Sequence, residues 1–264
     1  MRIHDALRMS SIPPPEAEVL LSTALGKDRT WLIAHGEDDL PADKQAAFQA
    51  FVSRRRRGEP VAYIMGVQEF FGRPFSVNPH VLIPRPSTEG LVSLAMDILR
   101  VPHDETQEID RGIVAVAKML KQHIRATIVA DIGTGSGCIA GTLACEMPDL
   151  RVMAVDLSKE ALEVASENAR RLKVADRIRF MQGNLLEPLR QISEPFLVVS
   201  NPPYIPEGHT LPRDVAGFEP AGALFAGKDG LSVLQMLMKQ ARRHPFCIGV
   251  VLECQEDQVS ALLE

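Results

Sequence analysis

Two patterns of apolar and polar residues divide the chain. Up to about residue 78 the apolar positions recur at helical spacing. In "PPPEAEVLLSTALG" they are Val19, Leu20, Leu21 and Leu25, with Gly26 as a stop. In "PADKQAAFQAFVSRRRRG" a helix enters at Pro41, carries Phe48 and Phe51, and ends at Gly58. Residues 69–90, "EFFGRPFSVNPHVLIPRPSTEG", are short alternating segments broken by Gly72, Pro74, Pro79, Pro84 and Pro86, which predicts a small hairpin and linker. A helix over "EGLVSLAMDIL" follows, then a polar, acidic stretch at 102–112 expected to be a surface loop or a solvated helix start. "IVAVAKMLKQHI" is expected to be a further helix.

From about 127 the pattern changes. "TIVADIG", "RVMAVD", "RIRFMQG", "FLVVSN" and "FCIGVVLE" are short, β-branched, nearly continuous apolar runs. Between them stand helical segments such as "CIAGTLACEM", "KEALEVASENARRL" and "GLSVLQMLMKQARR". That alternation predicts a parallel sheet covered on both faces, an α/β fold of the doubly wound, Rossmann-like kind. The expected organisation is a helical domain over 1–78, a hairpin, linker and connecting helices over 79–126, and a sheet domain over 127–264.

Composition narrows the function. The chain has 264 residues, 45% of them hydrophobic and 24% charged, with a formal net charge of −5. Proteins that hold nucleic acid by bulk electrostatics are usually basic, so direct nucleic-acid binding is not expected. Cys138, Cys145, Cys247 and Cys254 form no CxxC pair, which suggests buried, inert thiols in a reducing compartment. The histidines make no metal-binding motif, and no metal is expected. The N-terminus lacks a signal core, and no apolar run approaches the ~18 residues of a membrane span. A soluble, cytoplasmic protein is the expectation.

The candidate chemistry lies at the ends of the predicted strands. The first runs into "DIGTGSGCIAGTLA", placing Asp131, Gly133, Thr134, Gly135, Ser136 and Gly137 ahead of a helix. Glycines there let the backbone turn sharply and approach a ligand. The spacing is GxGxG, neither the dinucleotide fingerprint nor a phosphate loop, since no GK[ST] follows. The second strand ends at Asp156, where an acid in a doubly wound sheet reaches ribose hydroxyls; a helix N-cap is the plain alternative. After the third strand, Asn184 lies where an adenine ring would pass, unless it only forms a turn. The fourth delivers Asn201-Pro202-Pro203-Tyr204 to the same crevice. Prolines have no N–H, so this loop offers carbonyl oxygens, and Tyr204 adds an aromatic face. Such a site suits a planar, conjugated –NH₂ group whose nitrogen gains positive charge as it attacks carbon. A nucleoside cofactor without a phosphate site, beside an amine-binding loop, points to S-adenosylmethionine and N-methylation.

The chain resembles the HemK-type glutamine N5-methyltransferases of peptide chain release factors. The likeness runs from about residue 55 onward through "GEPVAYIMGVQEFFGRPFSV", "VLIPRPSTE", "VADIGTGSGCIA", "AVDLSKEALEVASENA", "SNPPYIP" and "EPAGALFAGKDGL". It implies a helical N-terminal domain that helps seat the substrate and a catalytic domain that converts S-adenosylmethionine to S-adenosylhomocysteine. It implies that Gly133 to Gly137 and Asp156 hold the cofactor and that Asn184 and Leu185 flank the adenine. Asn201 to Tyr204 would bind the amide of a glutamine in a Gly-Gly-Gln loop. The chain departs from the family at Ser87 and Asn184, where acids are usual. The sequence ends soon after its last predicted strand, and the C-terminal closing antiparallel hairpin normal in such sheets is expected to be lacking, either because the sequence is truncated or because the sheet ends early with an exposed edge. Rival readings are a methyltransferase for a ribosomal-protein glutamine, one for an exocyclic amine of DNA or RNA, and a module that binds S-adenosylmethionine without turnover. The run Arg54 to Arg57 reads as a solvated helix end or as a contact for an acidic partner surface.

Overall fold

The computed structural model describes residues 1–100, 107–109, 113–121 and 126–263. Two compact units divide the chain: Met1–Val67 with Leu211–Phe218, and Gln68–Thr210 with Glu219–Glu264.

The first unit is helical: α1 (Ile3–Met9), α2 (Pro14–Leu25), α3 (Arg29–Ala34), α4 (Ala42–Arg56) and α5 (Val61–Met65). Helix α2 stops where Gly26 turns left-handed, with φ 68°. The Asp28 carboxylate caps α3 by accepting from Trp31 N at 2.7 Å. Ile3, Leu20, Leu21, Leu32, Phe48 and Val52 form its core. The unit ends at Val67, short of the expected residue 78. The reason is that the hairpin β1 (Val67–Phe70) and β2 (Arg73–Ser76) packs elsewhere: Phe70 and Phe75 belong to the sheet core, and Asn168 exchanges hydrogen bonds with the Ser76 backbone.

The second unit continues with α6 (Ser87–Arg100), β3 (Gln107–Ile109), β4 (Ile113–Met119), β5 (Ile128–Ile132), α7 (Cys138–Glu146), β6 (Arg151–Asp156), α8 (Lys159–Arg171), β7 (Ile178–Gln182) and β8 (Phe196–Ser200). Residues 211–218, with α9 (Arg213–Ala216), then join the helical unit. The chain returns for α10 (Ser232–Arg243), β9 (Cys247–Gln255) and α11 (Val259–Leu263). The sheet order is β3-β4-β9-β8-β5-β6-β7. The five strands β5 to β9 run parallel, with β5 at the centre of the switch between β6 and β8. Side chains alternate between two cores: Val129 enters one, while Ile128, Ala130 and Ile132 enter the other. Among the described residues no helix is long and apolar enough to cross a membrane.

Two expectations are overturned here. Residues 113–119 of the expected helix "IVAVAKMLKQHI" are strand β4, antiparallel to β9 over Ile113↔Gln255 to Met119↔Gly249. Val114 and Val116 face one core and Ala115 and Ala117 the other, so both faces are buried and the apolar run looks the same as that of a buried helix. The edge of β9 that was expected to be exposed is covered by an antiparallel hairpin, β3 and β4, drawn from the segment ahead of β5. The stretch 102–112, expected to be a loop or helix start, supplies β3; its residues 102–106 and 110–112 lie outside the described residues.

Candidate active site

The parallel strands bring the motif residues to one edge of the sheet. Behind the first turn Asp131 is fully buried. Its Oδ2 accepts from Thr134 Oγ1 at 2.6 Å and Ala140 N at 3.0 Å, bracing the glycine loop against the start of α7. Its Oδ1 is buried without a partner. Burial pushes this carboxyl up to about 7, against the pull of those two hydrogen bonds.

The glycines divide their work. Gly133 and Gly135 have φ of 71° and 53°, and a side chain at Gly133 would meet only open space. Gly137 also has positive φ, 76°, but a Cβ there would stand 3.0 Å from Ala165 Cβ, so it serves close packing of α7 on α8. The loop therefore leaves a backbone cradle open to a ligand.

Asp156 closes one side of that cradle. Its Oδ2 accepts from Gly135 N at 2.9 Å and its Oδ1 from Ser158 N at 2.9 Å. Burial raises this carboxyl and the backbone donors oppose the rise. The cap of α8 is Ser158, which accepts from Ala161 N, so Asp156 is not the N-cap. Past β7, Leu185 has φ 50°, a strained value for a bulky residue, and Glu187 N donates to Asn184 O in a tight turn.

The loop after β8 is tied down at several points. Asn201 Nδ2 donates to Thr88 Oγ1 at 3.0 Å. Tyr204 OH donates to Glu253 Oε1 at 3.1 Å, and Tyr204 O accepts from Gln258 Nε2 at 3.0 Å. Burial and the Glu253 charge raise the Tyr204 phenol. The chain then pairs Ile205 with Phe225. A second wall is latched by Glu219, which accepts from Arg85 through Oε1 and from Ile83 N at 3.1 Å through Oε2.

These elements enclose a cavity of about 480 Å³. Of the residues expected at a site, Gly133, Thr134, Gly135, Ser136, Asp156, Asn184, Leu185, Asn201 and Pro203 line it. Asp131, Gly137, Pro202 and Tyr204 do not. Tyr204 in particular turns its ring onto the core beneath the sheet and its hydroxyl to Glu253, so it offers no stacking face to the cavity. Sequence reasoning missed Arg85, Thr88, Glu219 and Glu253. Arg85 and Thr88 lay inside the motif "PRPSTE", and Glu253 was an acid within a buried apolar run, which is itself a signal. Cys138, at the cavity wall, is pushed up to about 12 by burial and stays a thiol.

The cavity can take a nucleoside: a glycine cradle with no phosphate-loop lysine, an acid at the tip of the neighbouring strand, and an apolar wall. Across it stands an acceptor-rich loop suited to an amine. Fold and site together define a Rossmann-like methyltransferase that uses S-adenosylmethionine. Comparison with known proteins agrees and goes further. Residues 2–66 match the family model "PrmC N-terminal domain", and residues 105–216 match "Methyltransferase small domain". The release factor glutamine methyltransferase of Koribacter versatilis (strain Ellin345) is 40% identical over 245 residues, covering 90% of this chain and 78% of that one. Its counterpart from Burkholderia pseudomallei (strain K96243) is 37% identical over 265 residues, covering 98% and 85%. A bifunctional methyltransferase of Rickettsia felis (strain ATCC VR-1525 / URRWXCal2) is 36% identical over 242 residues, 86% of this chain and 44% of that one. The chain belongs to the release factor glutamine methyltransferase family.

Proposed function

We propose that this protein transfers a methyl group from S-adenosylmethionine to the side-chain amide nitrogen of the glutamine in a Gly-Gly-Gln loop of peptide chain release factors. It would act in the cytoplasm, on translation termination. The observation that carries the reading is the orientation of Asn201. Asn201 lines the cavity, and its Nδ2 donates to Thr88 Oγ1, an arrangement that would turn Oδ1 toward the substrate amide as an acceptor.

An amide nitrogen is a poor nucleophile because its lone pair is delocalised into the carbonyl. S-adenosylmethionine supplies a methyl group on a positively charged sulfur, which leaves as a neutral thioether. The protein's part is alignment and charge. Asn201 Oδ1 and the carbonyls of the proline loop accept the two N–H groups of the glutamine amide and hold its nitrogen toward the methyl carbon. The same acceptors stabilise the positive charge that grows on nitrogen during attack. The extra proton leaves afterwards, so no strong base is required before attack. Gly133 to Ser136 would cradle the cofactor, Asp156 would accept from its ribose, and Asn184 and Leu185 would flank its base. Asp131, Gly137 and Tyr204 support these residues from behind.

The test is incubation with labelled S-adenosylmethionine and separate release factor, ribosomal protein and DNA substrates, with mass spectrometry to place the methyl. Label on the release-factor glutamine is expected. Label confined to another substrate would overturn the reading.

A further inference from the structure

The loop that follows β7 bounds one end of the cavity, and it is bent against its own preference. Leu185 has φ 50°, a left-handed value that a bulky side chain resists. A residue keeps such a conformation only where its surroundings over-determine it. Asn184 and Leu185 line the cavity, whereas Leu186 is 3% exposed and belongs to the core beneath. The turn at Leu185 therefore divides the side chains that serve the cavity from the one that serves the core.

Both ends of the loop are anchored. Gly183 N donates to Asp156 O at 3.0 Å, and a Cβ on Gly183 would stand 2.4 Å from Pro188 Cγ, so the loop folds tightly onto itself. At the far end His244 Nδ1 accepts from Phe246 N at 3.2 Å; Nε2 therefore carries the hydrogen and donates to Leu189 O at 3.0 Å. Within the loop, Glu187 N donates to Asn184 O and Leu189 N to Leu186 O, each at 3.0 Å. Those two bonds fix its shape but not its position. The middle is tied to a different element: Leu186 N donates at 2.9 Å to Oε1 of Gln240, a half-buried residue of α10 that lies 54 residues further along the chain.

A backbone N–H can only donate, so it selects the oxygen end of the Gln240 carboxamide. Removing that oxygen leaves the Leu186 N–H without its acceptor at a part-buried position, which is costly. The peptide between Leu185 and Leu186 then gains by rotating toward solvent and toward ordinary backbone angles, and both cavity-lining side chains move with it. We propose that Gln240 is a positioning residue that fixes the base end of the cofactor cavity by holding the Leu186 amide. This rests on the reading of Asn184 and Leu185 as the residues that flank the adenine.

The experiment compares Gln240→Met, which fills similar space without an acceptor, Gln240→Glu, which keeps one, and Asn184→Ala. Gln, Met and Glu have nearly equal helix preference, so the two changes at 240 leave α10 intact. Calorimetry gives the dissociation constants of S-adenosylhomocysteine and of S-inosylhomocysteine, whose base carries a carbonyl in place of the exocyclic amine. Kinetics with intact release factor give kcat and the KM for S-adenosylmethionine. Gln240→Met is expected to raise that KM and the dissociation constant of S-adenosylhomocysteine about 5- to 10-fold, the loss of one hydrogen bond. Its kcat at saturating cofactor should be unchanged, and its preference for adenine over hypoxanthine reduced. Gln240→Glu should stay close to wild type. The Leu186 amide should exchange its hydrogen slowly in the wild-type protein and faster in Gln240→Met.

Unchanged affinity in Gln240→Met, equal losses for the two ligands, Gln240→Glu as weak as Gln240→Met, or a fall in kcat with KM unchanged would each overturn the proposal. So would rapid exchange of the Leu186 amide in the wild-type protein, a measurement that needs no variant to fold. The binding measurements do not depend on the methyl acceptor, so they decide the matter whichever substrate is methylated. An altered base preference in Asn184→Ala with none in Gln240→Met would sink the positioning role alone. No alteration in either would sink the reading of the base contacts as well.

Discussion

At the scale of single residues, the site is built from polar groups with most of their bonding already assigned. Asp156 is the clearest case, because both of its oxygens already hold backbone N–H groups. Replacing it with alanine frees Gly135 and Ser158 as well as removing the proposed acceptor for ribose. Asp156→Ala should weaken S-adenosylmethionine binding by about 10- to 100-fold, the worth of a charge-assisted hydrogen bond, as read by calorimetry. Asn201 stands on the other side of the chemistry. Asn201→Ala should leave that affinity nearly intact and lower turnover by about 10²- to 10³-fold, by analogy with the loss of one oxyanion-hole donor. Asp131 makes a different prediction. Its carboxyl is raised by burial to about 7 in the folded protein, well above its ordinary value near 4. The folded state therefore holds this proton more tightly than the unfolded chain. The associated stability is present below about pH 4 and is lost as pH rises to about 7, at no more than ~1.4 kcal/mol per pH unit. Urea titrations of the cofactor-free protein across that range should show the decline. Asp131→Asn, whose carbonyl oxygen can keep both bonds made by Oδ2, should flatten it.

At the scale of elements, the glycine loop depends on how closely α7 and α8 approach. Gly137 starts α7 with φ 76°, and Ala165 of α8 lies where its side chain would be. Asn168, one turn further along α8 and buried, donates to Ser136 O at 2.8 Å and to Ser76 O at 3.0 Å, and accepts from Ser76 N at 2.7 Å. One helix thus ties the β1–β2 hairpin and the glycine loop together. Gly137→Ala meets both a left-handed backbone and a Cβ contact of 3.0 Å. The combined strain and overpacking should cost roughly 2–4 kcal/mol, measured as a shift in the urea midpoint at unchanged slope.

At the scale of the molecule, the arginine run of α4 splits into two functions. Arg54 pairs with Glu59 through two nitrogens, and Arg55 pairs with Glu16 at 2.6 and 2.9 Å. These two cations hold the helical unit together. Arg56 and Arg57 are exposed, and the Arg57 guanidinium donates to Ser53 Oγ at 3.0 Å. The proposed amide clamp would recognise only a small planar group, so discrimination among glutamines would have to come from surfaces outside it. Reversing both exposed charges, Arg56→Glu with Arg57→Glu, is expected to lower kcat/KM on an intact release factor while sparing a short Gly-Gly-Gln peptide. The loss should shrink as salt is added, since exposed charges are screened. An equal effect on factor and peptide would remove this pair from substrate reading.

Local sequence determined a great deal here. The five parallel strands, the glycine loop, Asp156 and the Asn-Pro-Pro-Tyr loop were all legible, because continuous apolar runs and turn residues carry their own structural preferences. The capping of α3 and α8 and the stop at Gly26 follow from adjacent residues in the same way. Tertiary structure decided what depended on distant partners. Ile113–Met119 is a strand because β9 offers an open edge to pair with, and a run apolar on both faces does not announce its period. Tyr204 turns away from the cavity because a buried carboxylate, 49 residues further along the chain, accepts its hydroxyl. Asn201 has a defined orientation because Thr88, 113 residues earlier, takes its amide. No window of sequence contains both members of such a pair, so the orientations of Tyr204 and Asn201 came into view only when the sheet had brought β8, β9 and the start of α6 together.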